Sequence, residues 1–196
     1  MICLSQKFRV LVIHILSFLC IGSFSTVNLY SSGMNASVSV KFNNITVKDG
    51  LSDSRIYDIT QDKYGFMWFG TENGLNRYDG NKFMILRNIP GDTNSIVSNN
   101  ISSIVPDPVR DVLWVGTRAG LCRVDLKTLA VKRIFTGNHK VIRCMEQGQK
   151  GVLWIGTHTG LLKLDQKSED FKVYNQDNSG LSHNIVRSIY QAASGE

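Results

Sequence analysis

Chemistry in this 196-residue sequence would have to start from its histidines, its cysteines and a set of charged residues that recur in register. A zinc site or a histidine acid–base centre needs a second ligand or a carboxylate at a fixed offset from the imidazole. His14, His139, His158 and His183 have no such neighbour, so neither a metal, a cofactor nor histidine catalysis is expected. Cys122 and Cys144 lie 22 residues apart, a spacing that fits no metal motif, and two separate buried thiols are expected, against the bridge that an oxidising compartment would permit. Asp79, Asp125 and Asp165 recur in register. They read as strand-end residues that accept turn amides, against the alternative of a carboxylate ring. Arg77, Arg123 and Lys163 each precede one of these aspartates by two residues, on the same strand face. A repeated cation–aspartate contact is expected there, against a ring of cations that meets an anionic glycan.

Binding is better sought in turns, because repeat scaffolds hold their strands constant and vary their loops. Glu72-Asn73, Arg118-Ala119 and His158-Thr159 are dissimilar pairs at one position of an otherwise strict repeat. Glu72, Asn73, Arg118 and His158 are therefore the candidate ligand contacts. Tyr57, Tyr64 and Tyr78 could stack on sugar rings or pack internally. Asn35, Asn44 and Asn100 open Asn-x-Ser/Thr sequons, which matter only on a eukaryotic secretory route.

The elements that position these residues repeat. Gly65-Phe66-Met67-Trp68-Phe69-Gly70-Thr71 aligns with Asp111-Val112-Leu113-Trp114-Val115-Gly116-Thr117 and with Gly151-Val152-Leu153-Trp154-Ile155-Gly156-Thr157. Gly74-Leu75, Gly120-Leu121 and Gly160-Leu161 follow, and the three aspartates close each unit. The tryptophans are 46 and 40 residues apart, and the insert Asn88–Asn94 absorbs most of the difference. Such a period is that of a propeller blade. Arg55–Gln61, Phe66–Thr71, Leu75–Asp79 and Lys82–Arg87 read as four short strands between turn residues, with no 3.6-residue period. Phe66–Phe69 has no polar face and must be covered on both sides, as a blade's middle strand is. Gly70, Gly116 and Gly156 allow a neighbouring sheet to approach; Gly74, Gly120 and Gly160 end a tight turn. The fold class is all-β: an incomplete β-propeller of about three four-stranded blades (about 52–88, 98–135 and 140–175) and a fourth begun at 180–196. Three and a fraction blades cannot close a ring, so the chain reads as a piece of something longer.

Lys7 and Arg9 precede an apolar run, Val10–Ile21, and Ser23 and Ser25 supply small residues for cleavage. Residues 1–25 read as a signal peptide and 26–37 as a linker. Removing 1–25 lowers the formal charge from +6 to +4. The remaining cations are scattered rather than set in a phosphate-tracking stripe, which argues against nucleic-acid binding.

The stretch Asp49-Gly50-Leu51-Ser52, with Ile59-Thr60-Gln61-Asp62-Lys63-Tyr64-Gly65-Phe66-Met67-Trp68-Phe69-Gly70-Thr71-Glu72-Asn73-Gly74-Leu75-Asn76-Arg77-Tyr78-Asp79-Gly80, resembles the first blade of the two-component regulator propeller family. The resemblance covers 38–196. It implies the N-terminal, periplasmic sensor region of a hybrid two-component histidine kinase of the Bacteroidetes type, non-enzymatic in itself, with an oligosaccharide as ligand. It further implies that Ser39–Thr46 is a strand completing the last blade of the ring. A membrane helix, a kinase and receiver modules would follow outside this chain, and contact with the membrane would run only through that missing part. The alternatives are a standalone exported interaction module and, more remotely, a propeller-based lyase or hydrolase.

Overall fold

A computed structural model describes residues 44–134, 137–139 and 141–192. The signal peptide, the linker and most of the strand expected at Ser39–Thr46 lie outside this range. Among these residues, twelve strands form three antiparallel sheets of four, each built in chain order from one repeat. The first comprises β1 (Ile56–Gln61), β2 (Met67–Thr71), β3 (Gly74–Tyr78) and β4 (Phe83–Leu86). The second comprises β5 (Ile101–Pro106), β6 (Val112–Thr117), β7 (Gly120–Asp125) and β8 (Val131–Ile134). The third comprises β9 (Ile142–Gln147), β10 (Val152–Thr157), β11 (Leu161–Asp165) and β12 (Phe171–Tyr174).

Two side chains set the hairpins of every sheet. Thr71, Thr117 and Thr157 are fully buried. Each hydroxyl donates to the carbonyl of Gly74, Gly120 or Gly160, at 3.0, 2.8 and 2.8 Å, and accepts the amide of Asn73, Ala119 or Thr159. The closing glycines have φ of +127°, +150° and +144°, a left-handed backbone that side-chain-bearing residues avoid. At the opposite end, Asp79, Asp125 and Asp165 each accept two turn amides: those of Asn81 and Lys82, Lys127 and Thr128, Lys167 and Ser168. These amides hold all three carboxyls below the usual carboxylate range.

Sheets stack through the middle-strand glycines. A methyl group added at Gly70 would lie 2.8 Å from Ile101 Cγ2, and one at Gly116 would lie 2.6 Å from Ile142 Cγ2. Gly156 faces Cys144 Sγ and, beyond its own sheet, Val186. The resulting interfaces are two apolar layers. Trp68 and Leu75 pack with Ile101, Ile104, Leu113 and Val115, while Trp114 and Leu121 pack with Ile142, Met145, Leu153 and Ile155. Trp68 and Trp114 are fully buried, each contributing on the order of 2–3 kcal/mol of transfer free energy.

Three expectations are corrected. Among the described residues, Arg77, Arg123 and Lys163 form no ion pair with the aspartates. Each lies directly across from a tryptophan in register: Trp68↔Arg77, Trp114↔Arg123 and Trp154↔Lys163. Arg77 stacks on Phe66 at 4.4 Å, Lys163 sits 5.6 Å over Trp154, and Arg123 turns to Glu169 of the third sheet. The aspartates are occupied by their own turns, and an aromatic face is the nearer partner. Asn44, Ile45 and Thr46 are not strand, and Thr46 instead caps a 3₁₀ turn, Val47–Asp49. The fourth repeat, up to residue 192, forms no strand, although the Val186 amide bonds the Thr157 carbonyl at 2.9 Å.

Candidate functional site

At the end of the fold that carries the threonine hairpins, the innermost strand of every sheet breaks register at the same place. The pairing of β1 with β2 skips Tyr57, that of β5 with β6 skips Ser102, and that of β9 with β10 skips Arg143. A bulge leaves its extra residue out of the ladder and re-aims its side chain, a device common beside binding and active sites. Three chemically different side chains are thus presented at one position of a constant scaffold. Tyr57 is 44% exposed. The Ser102 hydroxyl lies 3.1 Å from the Gly116 carbonyl and 2.8 Å from the Ile142 carbonyl. Arg143 is half-buried, and its Nε is buried without a hydrogen-bond partner. The buried Asn100 Oδ1, at the approach to β5, is unpartnered too.

The residues after the first two bulges tie the sheets together. The Asp58 carboxylate accepts the Ile104 amide at 2.7 Å and the Ser103 hydroxyl at 3.1 Å, and Ser103 Oγ accepts the Met145 amide at 3.1 Å. This relay runs across all three innermost strands and fixes the bulges relative to one another. Cys144 holds the corresponding place in the third sheet. Cys122 and Cys144, the cysteines among the described residues, are free; Cys122 is buried and Cys144 only half-buried, which corrects the expectation of two buried thiols. Burial pushes the Cys122 thiol up to about 11 and raises that of Cys144.

The turn residues Glu72, Asn73, Arg118 and His158 lie at this same end. The amides of Glu72, Arg118 and His158 bond the carbonyls of Arg55, Asn100 and Val141, each just before an innermost strand. The Glu72 carboxylate pairs with Arg55. Asn73 reaches the Ser52 carbonyl, and its own carbonyl accepts Arg87 Nε. Arg118 and His158 are exposed. Of the tyrosines, Tyr78 stacks on Phe83 with ring centroids 4.6 Å apart. Tyr64 serves the other end of the fold, where its hydroxyl donates to Asp111 at 2.5 Å. Lys127 and Lys63 also bond Asp111, and these contacts together hold its carboxyl far below the usual range.

Sequence reasoning missed Ser102 and Arg143 and weighed Tyr57 only as an aromatic. The readable signal was a variable column, Tyr57, Ser102, Arg143 and Arg187, directly after a constant β-branched residue: Ile56, Ile101, Ile142 and Val186. Among the described residues, no group of three His, Cys, Asp or Glu side chains could hold a metal ion. Nor is any described helix long and apolar enough to cross a membrane.

Stacked four-stranded sheets in chain order, each innermost strand beside the next, define a β-propeller architecture, and solved structures agree. The extracellular domain assigned to a hybrid two component system of B. thetaiotaomicron superposes with a TM-score of 0.69 at 27% identity, over 74% of this chain and 22% of the other. A second B. thetaiotaomicron extracellular domain gives 0.63 at 24% identity, over 74% and 19%. Virginiamycin B lyase from Staphylococcus aureus gives 0.50 at 16% identity, over 64% and 42%, a likeness of fold alone. Residues 50–73 and 136–159 match the family Two component regulator propeller. A 74-residue stretch, 38% of this chain, is 45% identical to Histidine kinase P4 of Formosa agariphila. The chain spans 5% of that relative's length. Both matched segments run through an innermost strand into the threonine hairpin, and so include the bulged end.

Proposed function

We propose that this chain is an exported, non-catalytic ligand-sensing portion of a two-component sensor, and that it recognises an oligosaccharide at the bulged end of the propeller. The observation that carries the reading is the recurrence of one bulge in three sheets, each aiming a different side chain from a scaffold the repeat otherwise holds constant. A site built to read a ligand needs this combination of fixed backbone and varied side chains. Likeness to extracellular domains of two-component systems supports the sensor reading. The expected signal peptide at 1–25 accords with export. Ligand binding would shift the population of two receptor arrangements across the membrane, and a kinase outside this chain would read that shift.

The test is calorimetric titration of the full chain with a panel of neutral and acidic oligosaccharides. Saturable binding of at least one, weakened tenfold or more by Tyr57→Ala with the melting transition preserved, is the expected result. A folded chain that binds none of the panel overturns the reading.

A further inference from the structure

We infer that the ligand at the bulged end is anionic, an oligosaccharide bearing a carboxylate or sulfate, and that Arg143 holds the anion. This rests on the oligosaccharide reading above and assigns its charge class. In the second sheet the bulged residue is Ser102, whose hydroxyl is taken up by the Gly116 and Ile142 carbonyls. In the third it is Arg143, whose Nε is buried and bonds nothing among the described residues. A buried guanidinium donor without an acceptor is costly, and buried polar groups in folded proteins are almost always satisfied. An oxyanion meets that need with paired, charge-assisted hydrogen bonds matched to the planar guanidinium fork.

The charges around it point the same way. Arg118 is exposed at the hairpin of the second sheet. Arg187 follows Val186, which packs over Gly156 as Ile142 packs over Gly116, so it takes the position of Arg143 in the next repeat. Three of the acids at this end are engaged. Glu72 pairs with Arg55, Asp58 accepts Ser103 and the Ile104 amide, and Asp53 accepts the Arg55 amide. Glu146 lies three residues further along β9. Arginines at the same end as the exposed Tyr57 ring suit a sugar whose ring stacks while its charged substituent is clamped.

The probes are galacturonic acid oligomers, their methyl esters, which keep the shape and lose the charge, and a sulfated disaccharide, each titrated into the full chain. Either acidic probe should bind at least tenfold more tightly than the ester, and the preferred one separates carboxylate from sulfate. Arg143→Ser, which places here the residue the second repeat already carries, should remove that preference. Arg143→Lys should restore part of it, and a melting transition should confirm that both variants fold. If the ester or another neutral saccharide binds as well as the acids, or Arg143→Ser leaves the preference intact, the charge assignment falls while the oligosaccharide reading stands. If no saccharide binds the folded chain, both fall.

Discussion

Ile142 of the third sheet occupies the space above Gly116 of the second, its Cγ2 at 2.6 Å from where a β-carbon would stand. Ile101 is set over Gly70 in the same way at the preceding interface. The isoleucine is a knob, the glycine a hole, and the sheets cannot approach this closely with any side chain in the hole.

Gly116→Ala is therefore expected to destabilise by about 1–3 kcal/mol, the usual cost of forcing a methyl group into a filled core. Ile142→Ala alone opens a cavity and costs about 2–5 kcal/mol. The double variant should lose less than the two costs combined, because the new methyl occupies part of the vacated volume. Urea denaturation of the four proteins measures the coupling. Additive losses would show that the two residues do not meet.

Trp68 offers a second test, because its buried indole Nε1 donates to Asp62 Oδ2 at 2.7 Å while Asp62 Oδ1 accepts the Tyr64 and Phe66 amides. Asp62→Ala leaves a buried donor and two turn amides without this acceptor, and should cost about 2–4 kcal/mol. Asp62→Asn, which can keep part of this bonding through its carbonyl, should cost less. The same exchange at Asp107 tests a different contact: Asp107 bonds Arg110, and Trp114 Nε1 has no partner. Equal losses for Asp62→Ala and Asp62→Asn would remove the hydrogen bonds from the explanation.

The contrast between Trp68 and Trp114 illustrates what the sequence discloses. Trp, Gly, Thr and the later Asp recur because each has one steric or hydrogen-bonding task per sheet, and a task repeated three times is legible as a repeat. The boundaries of β2, β6 and β10 follow from it. The bulges are not legible, because an extra residue in a strand has no composition of its own and shows only as a column where Tyr57, Ser102 and Arg143 differ. Contacts between sheets, such as Arg123 with Glu169, escape for a related reason. They join a strand of one repeat to a turn of another, whose relative placement depends on how the sheets stack.

Asp111 joins two sheets at the end opposite the bulges. Its carboxyl is lowered by hydrogen bonds from Lys127 first, then Lys63 and Tyr64. A carboxylate with a lowered folded-state pKa contributes stability that is present in full above its ordinary value, 3.8, and lost as pH falls through the folded value. The denaturation midpoint of Asp111→Asn should therefore lie below that of the parent at pH 6 and converge with it in strong acid. High salt should narrow the gap, since the cluster is solvent-exposed. A constant offset between the two proteins across this range would mean that the charge of Asp111 is irrelevant.

Glu169 sets two effects of similar size against each other. Its φ of +63° is left-handed, a conformation that costs a side-chain-bearing residue on the order of 1–2 kcal/mol. Leu129 has a φ of +60° at the matching turn of the second sheet, so the turn geometry, not the glutamate, demands the strain. What retains a glutamate is its place between Arg123 and Lys132 of the second sheet, each 2.5 Å from one carboxylate oxygen. Both cations are partly exposed, and pairs of this kind contribute about 0.2–1 kcal/mol each. Glu169→Ala loses the pairs and keeps the strain; Glu169→Gly loses the pairs and relieves it. The glycine variant should accordingly match the parent within about 1 kcal/mol, and the alanine variant should fall below the glycine variant by about 1 kcal/mol. Raising the salt should shrink the difference between parent and alanine while leaving that between alanine and glycine unchanged, because only the first contains a Coulombic part. Alanine and glycine variants of equal stability would show that the turn relaxes once the ion pairs are gone.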